Sequence, residues 1–195
     1  MQQNQLNEDI SRLRQSLVSL PEAVVVPAFV VVSGLPGTGK SFFCNKLAQK
    51  SSFYILESDA MRKTLFSSPD YSVAENTHLF TVCHILIEDL LTRGIPLIFD
   101  ATNLSERHRE RLYRIGDRTG ARLILVRIDA PSTIIYQRLQ TRSEGDGLEN
   151  KSDADWEVYC RMKPAVDKIR RNHFAVDTSQ DIMPVVDKIV REINR

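Results

Sequence analysis

Apolar residues return every three or four positions at the start of the chain: Leu6, Ile10, Leu13, Leu17 and Leu20 share one face. That spacing predicts a helix ending at Pro21, within an N-terminal segment over residues 1–22. Its apolar stripe is suited to packing against the rest of the chain, since it is too short for a sustained coiled coil. From Ala28 the pattern changes, and short apolar runs alternate with helical patterns, the rhythm of parallel strands joined by crossover helices. The runs "AFVVVS", "FYILES", "PLIFDA", "ARLILVRID" and "HFAVDT" predict five strands. Helices are predicted around 40–50, 75–93, 105–119, 131–142, 154–171 and 181–194. The segment "TRSEGDGLENKSDAD" is polar, carries Gly145 and Gly147 and interrupts two helices, so it reads as a mobile flap.

These elements predict an α/β fold: a three-layer sandwich around a five-stranded parallel sheet over residues 23–195, with a helical lid at about 138–155. Such sheets bind ligands at the carboxyl ends of their strands. The rule singles out the loop at Gly34, then Asp59, Asp100 and Asp129.

A chain of 195 residues can bury a sizeable single core. Lys and Arg number 26 against 25 for Asp and Glu, a net charge of +1, so no global basic field of a dedicated duplex binder exists. Cys44, Cys83 and Cys160 lie far apart without a C-x-x-C pair, which argues against a zinc site or a disulfide framework and for a reducing cytoplasm. The polar, acidic start "MQQNQLNEDI" and the lack of an 18-residue apolar run predict neither a signal peptide nor a membrane span.

The chemistry begins in "GLPGTGKS", which matches G-x-x-x-x-G-K-[ST] between a β-branched strand and a helix. Such a P-loop wraps triphosphate oxygens with backbone N–H groups, and the helix start adds favourable electrostatics. Gly34, Leu35, Pro36, Gly37, Thr38, Gly39, Lys40, Ser41 and Phe42 are therefore the expected nucleotide contacts. Lys40 is expected at the β- and γ-phosphates and Ser41 at Mg²⁺. No N-K-x-D element accompanies the loop, which argues against a GTPase switch, and no coupling element of a motor ATPase is evident. A kinase needs an acceptor base, a carboxylate on the metal side and a lid that excludes water.

Asp59 follows the second strand, with Arg62 three residues on at helical spacing. A carboxylate there can orient an attacking hydroxyl and accept its proton, while the guanidinium can hold an anionic acceptor group. Equally, Ser58 or Asp59 can cap a helix with Arg62 in solvent. Asp100 ends the third strand in "LIFDATNLSERHRERL", followed by Thr102, Asn103 and a new helix.

The order G-x-P-G-x-G-K-S, D-x-x-R, D-x-T-N-x-x-x-x-R and then "IDAPSTIIYQRLQTR" resembles the 5′-hydroxyl polynucleotide kinase module and its P-loop kinase relatives, over residues 28–178. The resemblance implies ATP and Mg²⁺ as cofactors, Asp59 as general base, Arg62 as acceptor-side arginine and Asp100 beside the metal together with Ser41. It sets Asn103 and Arg107 on the next helix start, and makes Arg138 and Arg142 lid arginines over the ATP phosphates. The implied activity is transfer of the γ-phosphoryl of ATP to an acceptor hydroxyl, first choice a polynucleotide 5′-hydroxyl. Zeta-toxin-like, gluconate and antibiotic kinases share the layout, so a small sugar, polyol or antibiotic acceptor is the alternative. A nucleotide-dependent interaction module is the reading from another class.

Arg107, Arg109, Arg111, Arg114, Arg118 and Arg122 form either a local phosphate-binding surface or a solvated helix face with paired charges. Trp156 and Tyr159 suit lid packing more than base stacking, and the four histidines show no shared ligand pattern. "VDTSQD", with Asp177 and Ser179, stands where related kinases pass the adenine.

Overall fold

The computed structural model describes residues 2–144 and 154–194. Its centre is β1 (Ala28–Ser33), buried along its whole length. Successive side chains of a strand point to opposite faces, so a strand in the middle of two layers must be apolar throughout. Phe29 and Val31 enter one hydrophobic cluster, while Val30 and Val32 enter another. The first cluster is completed by α1 (Gln2–Ser16), α3 (Ser58–Leu65), α4 (Val73–Thr92) and α5 (Glu106–Thr119), the second by α2 (Lys40–Lys50) and α8 (Met183–Ile193). Truncating Phe29 or Phe99, both fully buried, to alanine would cost about 3–5 kcal/mol.

The other strands are β2 (Tyr54–Glu57), β3 (Leu97–Asp100), β4 (Arg122–Asp129) and β5 (Phe174–Asp177), in the order β2-β3-β1-β4-β5 and all parallel. The chain therefore leaves β1 for an edge strand and returns through β3 to β1's side. Register sets Asp100 beside Val32 on one side and Glu57 on the other, so the carboxyl ends of three strands are level. Among the described residues no helix is long and apolar enough to cross a membrane.

Besides α3, a helix outside the predicted ranges, two elements depart from the sequence reading. The N-terminal helix ends at Ser16, not at Pro21, because the Ser16 hydroxyl donates to the Leu13 carbonyl at 2.7 Å and Ser19 takes a left-handed φ of 55°. Leu17 and Leu20 nevertheless pack on the same cluster from irregular chain, and Ile10 and Leu13 are buried in it, so this segment is part of the domain's core. The helix expected over 154–171 is only α7 (Trp156–Met162) followed by a short 3-10 turn, Lys163–Ala165. Pro164 lacks an N–H and its ring clashes with the carbonyl four residues back, which stops the α-helix. α6 (Ser132–Glu144) leads into residues 145–153, so Gly145, Gly147 and most of the expected flap lie outside the described residues.

Candidate active site

The loop between β1 and α2 is held shut by backbone contacts that only glycine permits. A Cβ on Gly34 would meet the Ile128 carbonyl oxygen at 2.5 Å, and Gly39, which precedes α2, has φ of 91°. The Gly34 N–H bonds the Thr102 carbonyl at 3.1 Å, tying the loop to the segment after β3. Inside it the Leu35 carbonyl accepts from Thr38 Oγ1 at 2.7 Å and from Lys40 Nζ at 3.2 Å.

Pro36, Gly37, Gly39, Lys40, Ser41 and Phe42 line a cleft of about 260 Å³ that Asp59 and Asp100 also face. Ser41 Oγ donates to Asp100 Oδ2 at 2.6 Å. Burial raises the Asp100 pKa above the ordinary carboxylate value, with the Lys40 charge and the Ser41 hydrogen bond opposing. Burial likewise lowers Lys40, while the negative charges of Asp100 and Asp59 act the other way. A further negative charge in the cleft would act on Lys40 in the same sense as Asp100 and Asp59, favouring its charged form.

A second cavity of about 530 Å³ adjoins the first, and Pro36, Ser58, Asp59 and Thr102 line both. Asp59 stands in the first turn of α3, three residues before Arg62. Arg62 does line this second cavity, but it is buried and already engaged. Its NH1 is ion-paired with Glu75, its NH2 donates to Asn76 Oδ1 at 2.6 Å, and the Tyr71 ring covers its guanidinium at 4.6 Å.

Arg138 and Arg142, one turn apart on α6, have different surroundings. Arg142 lines the P-loop cleft. Arg138 instead donates to Thr178 Oγ1 at 2.8 Å, to the Thr178 carbonyl at 3.0 Å and to the Gly37 carbonyl at 3.4 Å. Thr178 Oγ1 in turn donates to the Thr38 carbonyl at 2.6 Å. Arg138 therefore braces the P-loop backbone from outside.

The family comparison agrees with this geometry: the model of the AAA domain family matches residues 29–169, from β1 past α7. The chain belongs to the AAA domain family. Among solved structures with the same fold, the APS kinase CysC of Mycobacterium tuberculosis, in complex with AMPPNP and APS, is 17% identical with a TM-score of 0.65 over 87% of this chain and 99% of its own. A gluconokinase from Sinorhizobium meliloti is 18% identical with a TM-score of 0.61, over 86% of this chain and 94% of its own. Chaetomium thermophilum Kti12, in complex with ADP-AlF3, is 15% identical with a TM-score of 0.68, over 85% of this chain and 98% of its own. No curated protein matches the chain.

In this family member the remaining candidates sit as follows. Asn103, at a left-handed φ of 45°, is buried and donates from Nδ2 to the Val32 carbonyl at 2.7 Å, so it locks β1 to the loop after β3. Arg107 is exposed beside Asp167 and Lys168, away from both cavities. Of the arginine run, Arg109 is buried on Glu106 and the carbonyls of Asn103, Leu104 and Asp167. Arg118 pairs with Glu88, and Arg122 donates to carbonyls at the end of α8. Trp156 stacks on Tyr159 at 4.7 Å and meets Tyr136 edge-on at 5.0 Å, which packs α7 against α6. Asp129 accepts from the Ala130 N–H and is exposed. Asp177 accepts from Ser179 N and Oγ at 2.9 and 2.7 Å, closing a turn. Among the described residues no cluster of three or more His, Cys, Asp or Glu could hold a metal.

Sequence reasoning missed Thr178, Glu75 and the second cavity. Thr178 had a signal, since it sits between Asp177 and Ser179 at a strand's carboxyl end. Glu75 had a weaker one, the S-x-x-E of a helix start at Ser72, whose Oγ accepts from the Glu75 N–H at 3.1 Å.

Proposed function

We propose that the protein is an ATP-dependent kinase that transfers the γ-phosphoryl of ATP to a hydroxyl of a small molecule held in the second cavity. The observation that carries this is the position of Asp59, which lines the P-loop cleft and the neighbouring cavity at once. A group at that boundary can touch a donor on one side and an acceptor on the other.

The P-loop amides and Lys40 bind and orient the triphosphate. Ser41 and Asp100 fit Mg²⁺: their hydroxyl and carboxylate oxygens already meet at 2.6 Å, and Mg²⁺ favours one or two such oxygens with water and phosphate in its remaining positions. When bound it would offset charge on the phosphate oxygens. Asp59 orients the acceptor hydroxyl and takes its proton as the new O–P bond forms and the bond from the γ-phosphorus to the bridging oxygen breaks, leaving ADP. Arg142, facing the same cleft, supplies positive charge toward the transferring group.

A small acceptor is favoured over a polynucleotide on two grounds. About 530 Å³ is the size of an ordinary small-molecule site, and three of the six arginines that would track a strand, Arg109, Arg118 and Arg122, are engaged within the fold. The test is γ-labelled ATP with a panel of nucleosides, sugars, aminoglycosides, neutral aryl alcohols and 5′-hydroxyl oligonucleotides. Label on a small alcohol is expected. Label released only as inorganic phosphate, whatever the acceptor, would contradict the kinase reading and favour an interaction module, while label on oligonucleotides alone would restore the strand as acceptor.

A further inference from the structure

The second cavity has walls whose charges largely cancel. Its one buried cation, Arg62, is neutralised by Glu75, and side chains of both are less than a tenth exposed. Glu75 is itself fixed, since its Oε2 accepts the Asp70 N–H at 2.7 Å. Asn76 adds a second hold, accepting from Arg62 NH2 and donating to the Tyr71 carbonyl at 2.9 Å, while the buried Arg62 Nε–H keeps no hydrogen-bond partner among the described residues. Pulling the guanidinium toward an anionic ligand would strand Glu75 as a buried, unpaired carboxylate, which is strongly unfavourable. Among the described residues the other ionic side chains on the wall are Asp59, Asp70 and the exposed Arg161, so there the acids outnumber the cation that remains. The rest of the surface is mostly apolar or aromatic: Pro36, Tyr71, Phe80, Val158 and Met162.

We propose that the acceptor is an uncharged alcohol with a compact apolar or aromatic body, and that Arg62 is a wall of its site and not a receptor for an acceptor phosphate or carboxylate. This rests on the kinase reading above. The hydroxyl faces Asp59 at the boundary with the P-loop cleft, and the body lies along Phe80, Val158 and Met162. A phosphomonoester on the same body would lose its hydration to a cavity whose described residues offer it no unpaired buried cation and two nearby carboxylates.

The experiment uses the full chain saturated with AMPPNP and Mg²⁺, followed by protein NMR. Two probes of one shape class are titrated: 1-phenyl-1,2-ethanediol and phenyl phosphate. The methyl signals of Val158 and Met162 should shift with the diol, with an affinity roughly tenfold or more above that for phenyl phosphate. Glu75→Gln, which releases the Arg62 charge, should narrow or reverse that preference. Phenyl phosphate binding as tightly as the diol to the unaltered protein, or no shift at Val158 and Met162 with either probe, would overturn the proposal. The amide signals of Gly37 and Gly39 report nucleotide in the same sample. Their failure to move with AMPPNP would defeat the kinase reading, and a failed diol with a bound nucleotide would defeat only the acceptor class.

Discussion

The Ser41 hydroxyl donates a 2.6 Å hydrogen bond to Asp100, a residue 59 positions later. The bond exists because β3 lies directly beside β1, so the P-loop leaving one strand meets the carboxylate ending the other. Both oxygens are of the kind Mg²⁺ prefers.

Asp100→Asn retains the shape and the hydrogen bond to Ser41 but removes the negative charge. Activity is expected to need a higher Mg²⁺ concentration, with nucleotide affinity in the absence of metal unchanged or improved, since a negative charge near the phosphates is gone. A magnesium titration of turnover for both proteins checks this.

Arg138, Thr178 and the Gly37–Thr38 backbone form one strut, so Arg138→Ala and Thr178→Val should not act independently. Each is expected to raise the KM for ATP more than it lowers kcat, because each loosens the P-loop without touching the reacting atoms. The double-mutant cycle on AMPPNP affinity should give a coupling of about 0.5–3 kcal/mol, the range for groups in one network. Additive effects, or a loss confined to kcat, would instead make Arg138 a contact to the transferring phosphoryl.

His84 gives the stability a pH dependence of known sign. Burial, with the charges of Arg111 and His108, lowers its pKa from 6.5 to about 4. Below pH 6.5 the unfolded chain takes up a proton that the folded chain refuses until about pH 4, so stability is lost as pH falls through this window. His84→Gln should remove roughly 1–2 kcal/mol of the decline between pH 7 and pH 5, measured by urea unfolding at both values. Equal declines in the two proteins would contradict the assignment.

The parts of the fold legible in sequence are those set by neighbours in the chain. "AFVVVS" is apolar at every position because both faces of β1 are covered, and the P-loop carries its glycines where a Cβ would strike Ile128 or where φ is positive. The five strands follow their apolar runs to within a residue or two. Pairings set by long-range packing were not legible. Thr178 reaches Thr38 across 140 positions, and Glu75 meets Arg62 only because the turn between α3 and α4 folds back. D-x-x-R gives the positions of Asp59 and Arg62, but the local spacing carries no trace of the carboxylate that neutralises the arginine. Apolar spacing also overran the end of α1, where the side chain of Ser16 competes for backbone groups, and the end of α7, where Pro164 ends it.

The central claim is that Asp59 serves an acceptor hydroxyl beside nucleotide held by the P-loop, and one paired measurement on Asp59→Asn tests it most directly. The substitution keeps the shape and removes the proton acceptor. Label transfer from γ-labelled ATP to the best small alcohol of the panel should fall in kcat by roughly 10²-fold or more, the scale of general-base assistance, while the Kd for AMPPNP with Mg²⁺ stays within about twofold of the unaltered protein, since nucleotide binding rests on other groups. Unchanged transfer, or a fall matched by an equal loss of AMPPNP affinity, would contradict the account.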